Sequence, residues 1–156
     1  MVQKNNLTAS LIFIHTLVLS FLSLWADWLT VDYNGISLGE NLFFESTYKS
    51  PADLKIMRAT SILTFLFIFG AVCTVLRPQY KKWSSTMSGI AVIMALVTIY
   101  KFHSEMKDYI GVTNITPTEG VPTSNTTMMV KYGPGFKLMI ATAIFAFLSV
   151  VATMKK

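Results

Sequence analysis

The chain has 156 residues, 53% of them hydrophobic and 13% charged, with a mean hydropathy of +0.52 and a formal net charge of +5. It is too apolar and too thinly charged for an ordinary water-soluble domain, so lipid is the expected solvent for most of it. One cysteine, Cys73, excludes an intramolecular disulfide and metal-ligand pairs of the Cys-x-x-Cys kind.

In chain order, the first apolar run, Leu7 to Ala26, holds no Pro, Asp, Glu, Lys or Arg. It is longer than the ~7 to 15 residues of a secretory signal core, and no small-x-small cleavage site comes after it, so it reads as a retained first span. His15 lies about halfway along it. An intramembrane ionisable side chain is a candidate functional group by default. The competing reading is a neutral imidazole hydrogen-bonded to Ser, Thr or backbone of a neighbouring helix. Trp25-Ala26-Asp27-Trp28 closes the run, where tryptophans suit an interfacial aromatic belt. Asp27 is expected to face water or a nearby Lys or Arg, and Trp28 to pack its ring under a sheet formed by the next residues.

After Trp28 the apolar period drops to two: Leu29, Val31 and Tyr33, then Asn34-Gly35, then Ile36 and Leu38. Asn-Gly between alternating apolar residues is a strong hairpin signal, because both central positions of a type I′ turn need positive φ. Strands are expected at about 28–33 and 36–38, with residues 41–45 as a third candidate and 126–132 as the fourth. A lone hairpin is marginal in water, so further strands or the helix ends must cover its apolar face.

Three more uncharged runs, Ala59 to Leu76, Trp83 to Tyr100 and Leu138 to Met154, have the ~17 to 25 residues a spanning helix needs. With their flanks the spans fall at about 7–28, 54–76, 83–102 and 135–154, joined by outer loops 29–53 and 103–134 and an inner loop 77–82. Small residues mark where helices can approach: Gly70 and Ala71; Ser84, Ser88, Gly89, Ala91 and Ala95; Ala141, Thr142, Ala146, Ser149 and Ala152. Lys55 and Arg58 read as snorkelling interfacial cations. His103 and Glu105 stand at the outer end of the third span, where two-residue spacing does not put them on one helical face and no second histidine is near to make a metal site, so they read as solvated interface residues. Thr113 to Ser124 reads as an exposed flexible segment.

Arg77, Lys81 and Lys82 crowd the short loop, Lys155 and Lys156 end the chain, and Lys4 precedes the first span, which places all of these on the cytoplasmic side by the positive-inside rule. The longer outer loops also carry Lys and Arg, spread out. Seven of the eight Asp and Glu lie in those outer loops, and the eighth, Asp27, lies at the outer end of the first span. The sequons at Asn114 and Asn125 would then face the secretory lumen and the cell exterior, and Asn6 would face inward. A basic inner face suits anionic lipid headgroups at about 1 kcal/mol per cation, so membrane lipids are the expected contact and nucleic acid is not.

Trp25-Ala26-Asp27-Trp28-Leu29-Thr30-Val31 resembles the helix-to-strand junction of the claudin superfamily, the four-span proteins that include claudins, peripheral myelin proteins and calcium-channel γ subunits. Asp27 stands close to the acidic position and Trp28 at the Trp of the Asp-x-Trp seen in the γ-subunit branch. The β-rich first loop, the short basic inner loop, Tyr100, and Tyr132-Gly133-Pro134-Gly135-Phe136 before the last span extend the likeness. The chain departs from it in lacking Gly-Leu-Trp and the two first-loop cysteines; Ser37-Leu38-Gly39-Glu40-Asn41-Leu42 stands there instead, without the ~2 to 4 kcal/mol a disulfide commonly adds.

The expected fold is an all-α membrane four-helix bundle with a small extracellular antiparallel β-sheet. The resemblance implies a non-enzymatic, multi-pass protein of the plasma membrane, with both termini cytoplasmic and no cofactor, metal or catalytic residue. It would act by lateral contact with another integral membrane protein or with its own copies, as an auxiliary subunit of a channel-like complex. The alternatives are a junction protein joining cells and a small channel with His15 on its path. Expression in cells with each Asn→Gln variant checks the orientation: glycan is expected on Asn114 or Asn125, and glycan on Asn6 alone inverts the topology.

Overall fold

The computed structural model describes residues 2–33, 36–42, 54–115 and 126–154. In order these form α1 (Val2–Trp25), β1 (Asp27–Tyr33), β2 (Ile36–Asn41), α2 (Leu54–Val75), a 3-10 turn (Pro78–Tyr80), α3 (Lys81–Met106), β3 (Gly111–Ile115), β4 (Thr126–Tyr132) and α4 (Pro134–Met154). The chain is thus mostly helical, with a small antiparallel sheet. Three stretches, Lys55–Val75, Lys82–Met106 and Pro134–Met154, are long and apolar enough to cross a membrane, and Ala9–Trp25 adds a shorter apolar one.

The helices close a ring in which α1 and α3 each pack against both α2 and α4. Its polarity is inverted relative to a soluble bundle. Among the described residues the buried polar side chains are all Ser or Thr, including Thr16, Ser20, Ser61, Thr64, Ser88, Thr98, Thr142 and Ser149, while Leu11, Val18, Leu66, Phe69, Ile93 and Phe147 point outward. Lipid tails are as apolar as Leu, so burying Leu between helices gains little there. Close backbone approach and interhelical hydrogen bonds are what remain.

Both are present. Ala71, Ala91, Ala95 and Ala146 are fully buried, and a Cβ on Gly70 would come within 2.9 Å of Met87 Sδ. Ser88 Oγ donates to Ala146 O across α3 and α4 at 3.0 Å, Thr98 Oγ1 donates to Thr60 Oγ1 across α3 and α2 at 2.7 Å, and Thr16 and Ser149 hydroxyls meet at 3.4 Å between α1 and α4. Each such bond is worth roughly 0.6 kcal/mol on average in a membrane. Gly89 faces open space and takes no part in packing.

The sheet runs β2-β1-β4-β3, every neighbour antiparallel. Val31 sits opposite Val130 and Leu29 opposite Tyr132, and Leu29, Val31 and Val130 are buried in one cluster with Met57, Phe102, Met106 and Phe136 from the helix ends. Tyr33 pairs with Ile36, leaving two residues for the connection, as a two-residue hairpin requires. Asn34 and Gly35 themselves lie outside the described residues, as do residues 43–45 of the third candidate strand; Asn41 belongs to β2 and Leu42 is a buried bend.

Several boundaries differ from the sequence reading. Helix α1 stops at Trp25 rather than near residue 28, because residues 27 and 28 are drawn into β1. Helix α3 continues to Met106 and carries His103 and Glu105 with it, because Phe102 and Met106 find apolar cover under the sheet. The inner loop shrinks to one 3-10 turn, with Lys81 and Lys82 opening α3. Strand β3 occupies the start of the segment expected to be flexible. Its Val112, Thr113 and Ile115 are β-branched, β4 offers a free edge, and Gly111 at φ 135° redirects the chain from the end of α3.

Gly133 is where strand, helix and sheet come closest. A Cβ there would sit 2.9 Å from the carbonyl carbons of Asp27 and Trp28, which are backbone and cannot swing aside. Gly133→Ala is therefore expected to lower stability by about 1 to 3 kcal/mol, and Gly89→Ala to leave it unchanged or raised. Thermal unfolding of the two variants in detergent checks this.

Candidate functional site

The last turn of an α-helix leaves carbonyls without intrahelical partners, and near a membrane such groups must be satisfied by protein. At the end of α1, Trp28 Nε1 donates to Ser23 O at 2.8 Å, and Asn41 Nδ2 donates to Trp25 O at 2.6 Å and to Ala26 O at 3.0 Å. The helix is thus closed from below by a side chain of β1 and from the side by the last residue of β2. Gly133 N then donates to Trp28 O at 2.8 Å, tying the start of α4 to the same point.

A register shift between Asp27 and Leu29 leaves Trp28 out of the ladder, and this bulge lets both Trp28 and Leu29 turn inward. The Trp28 indole is 1% exposed. Its ring meets Phe102 edge-on at 5.0 Å and Phe136 at 6.1 Å; Phe102 and Phe136 lie 5.2 Å apart, and Tyr132 stacks on Phe136 at 4.6 Å. Rings from β1, α3, β4 and α4 therefore share one cluster, with such pairs worth about 0.5 to 1.5 kcal/mol each beyond burial. Gly135 makes room for it, since a Cβ there would come within 2.5 Å of Trp28 Cδ1.

The two tryptophans part company. Trp25 is 60% exposed, with its ring 6.1 Å from that of Phe21, and Phe21 lies 5.9 Å from Phe65 on α2, as a belt residue would. Trp28 is core. Asp27 between them is half-buried, its carboxylate set over Gly39 of β2, where any Cβ would collide with it. Gly39 is itself exposed, so the carboxylate lies at the edge of the sheet. Arg58 departs from simple snorkelling in the same way: it is half-buried and Nε donates to Leu42 O at 2.5 Å, holding the chain as it leaves β2.

On the sheet's other face Lys131 Nζ meets Asp32 Oδ2 at 2.7 Å, and Ser37 donates to the same carboxylate. These hydrogen bonds, Lys131 first, hold the Asp32 pKa below its ordinary value. At the rim of the ring cluster the Tyr132 hydroxyl and His103 Nδ1 lie 2.6 Å apart, and burial raises the Tyr132 pKa. His103 is thus bonded to the sheet as well as exposed, which its sequence position did not indicate.

The remaining candidates are dispersed. His15 faces outward, with Nδ1 2.8 Å from Leu11 O of its own helix rather than a neighbour's group. Arg77 and Lys82 are exposed at the bundle end opposite the sheet, and Lys81 begins α3 there. Asn114 lies in edge strand β3 opposite Thr127, and Asn125 falls outside the described residues. Among the described residues, no group of three or more His, Cys, Asp and Glu is placed to hold a metal. The chain matches no family model and no curated protein.

The junction predicts graded losses. Trp28→Ala opens a cavity in the ring cluster and is expected to cost about 3 to 5 kcal/mol. Trp28→Phe leaves Ser23 O without its donor, an expected loss of about 1 to 3 kcal/mol, while Trp25→Leu is near neutral. Thermal unfolding in detergent orders the three.

Proposed function

We propose that the chain is a four-span protein of the claudin-like kind that works without catalysis, as an auxiliary subunit binding alongside a larger integral membrane protein. The observation that supports this reading best is the inverted bundle: Ser and Thr are spent on contacts inside, and large apolar side chains are left on the outer faces of the helices. A helix face of Leu, Ile and Phe suits lipid and a neighbouring transmembrane helix equally, so lateral association requires no new surface chemistry. The junction of Trp28 and Asn41 supports the four-span reading, since it ties the end of α1 to the sheet over the other three helices. The positive residues at 77–82 support cytoplasmic termini; the plasma membrane follows from the claudin-like reading alone.

The junction-protein reading has one observation in its favour: Ile36 and Leu38 of edge strand β2 are 62% and 48% exposed, so the sheet offers an apolar rim. The channel reading needs an ionisable group on an interior path, and His15 lies on the outer face. Purification from native membranes in mild detergent discriminates the first two. An auxiliary subunit co-purifies with one dominant integral membrane partner in fixed ratio. Recovery as a lone monomer at native abundance sinks that reading, and enrichment at cell contacts only when both cells express the chain favours adhesion.

A further inference from the structure

At the bundle end away from the sheet, α2 turns into α3 through the Pro78–Tyr80 turn, held by Arg77 N to Thr74 O at 3.1 Å and Tyr80 N to Arg77 O at 2.9 Å. Beside this turn lies an open crevice of about 570 Å³ lined by Cys73, Thr74, Leu76, Arg77 and Tyr80. Cys73, in the last turn of α2, and Leu76, Arg77 and Tyr80, in the turn that follows it, form one stripe of this lining. All four are exposed, so the stripe belongs to the lipid-facing surface.

Along the chain the stripe changes chemistry, from thiol and Leu to guanidinium and then phenol. The Thr74 hydroxyl is bonded back to Gly70 O and Ala71 O at 3.0 Å each. The Arg77 guanidinium has no partner among the described residues, and every Asp and Glu of the chain lies in the outer loops or, for Asp27, at the outer end of the first span. Lys81 and Lys82 come within five residues and Trp83, 61% exposed, stands next to them.

We infer that this crevice binds one anionic phospholipid, with its phosphate against Arg77 and the Tyr80 hydroxyl and its acyl chain along Leu76 and Cys73. A guanidinium forks onto phosphate oxygens with charge-assisted hydrogen bonds, which a zwitterionic headgroup offers with less net attraction. Apolar side chains directly above it supply what a free anion would not use. The inference rests on α2 crossing the bilayer and is independent of the auxiliary role.

The test is a lipid titration of the full chain in detergent micelles, read by native mass spectrometry, with phosphatidylserine and phosphatidylcholine as probes. Wild type is expected to prefer phosphatidylserine, Arg77→Gln to lose about fivefold of that preference, and Lys137→Gln, exposed at the other end, to retain it. Equal binding of the two lipids by wild type overturns the inference. So does an equal loss in Lys137→Gln, which makes the effect one of net charge. Displacement of the lipid by millimolar inorganic phosphate also overturns it, by showing a free-anion site. Retention in carbonate-washed membranes is measured alongside: a chain that is retained but shows no headgroup preference keeps its spans and loses the lipid site, and a chain that washes off loses both.

Discussion

The structure depends on how one helix end is finished. Helix α1 finishes beside β1, where the carbonyls of Ser23, Trp25 and Ala26 lack partners within the helix. An unsatisfied polar group in hydrocarbon costs several kcal/mol, more than any single packing contact here returns. Trp28 and Asn41 supply the missing donors, and to do so β1 must begin with a bulge and β2 must end against the helix. That requirement accounts for the buried indole, the rings of Phe102, Tyr132 and Phe136 around it, and the glycines at 39, 133 and 135 that let the chains approach.

The bundle obeys a complementary rule. Its interior mixes hydroxyls and alanines with Phe13, Ile68 and Met139, and directional bonds such as Ser88 to Ala146 cross between its helices. The sheet end holds a conventional apolar cluster of Trp, Leu, Val, Met and Phe. The same cluster runs on into the bundle through Ala95, Met139 and Ala143, so the two ends are continuous.

Much of this is legible in the sequence because it is periodic. Uncharged runs of spanning length mark the helices, alternation at Leu29, Val31 and Tyr33 marks β1, and the run 126–132 marks β4 to the residue. Trp28 is readable as a residue that packs beneath the sheet, since it sits where period 3.6 gives way to period 2. What escapes is whatever depends on a distant partner. Strand β3 is five residues long and is specified by the edge of β4 more than by its own composition. Asn41 as a helix-closing donor and Asp27 over Gly39 are tertiary contacts with no local signature. His15 shows the converse: a polar residue in an apolar run invites a functional reading, and its own turn of helix is enough to satisfy it.

The pairing order carries a consequence for synthesis. Strand β1 lies between β2 and β4, and its partner Tyr132 is reached only after α2 and α3 have been made. The ring of Phe136, which helps close the pocket over Trp28, arrives later still. With no cysteine pair to lock the first hairpin, a nascent chain waits with its indole uncovered and its strand edge open until the final helix is inserted. Completion of α4 is thus the step that covers the hairpin. Variants that delay it should be retained and degraded even where every residue of the hairpin is intact.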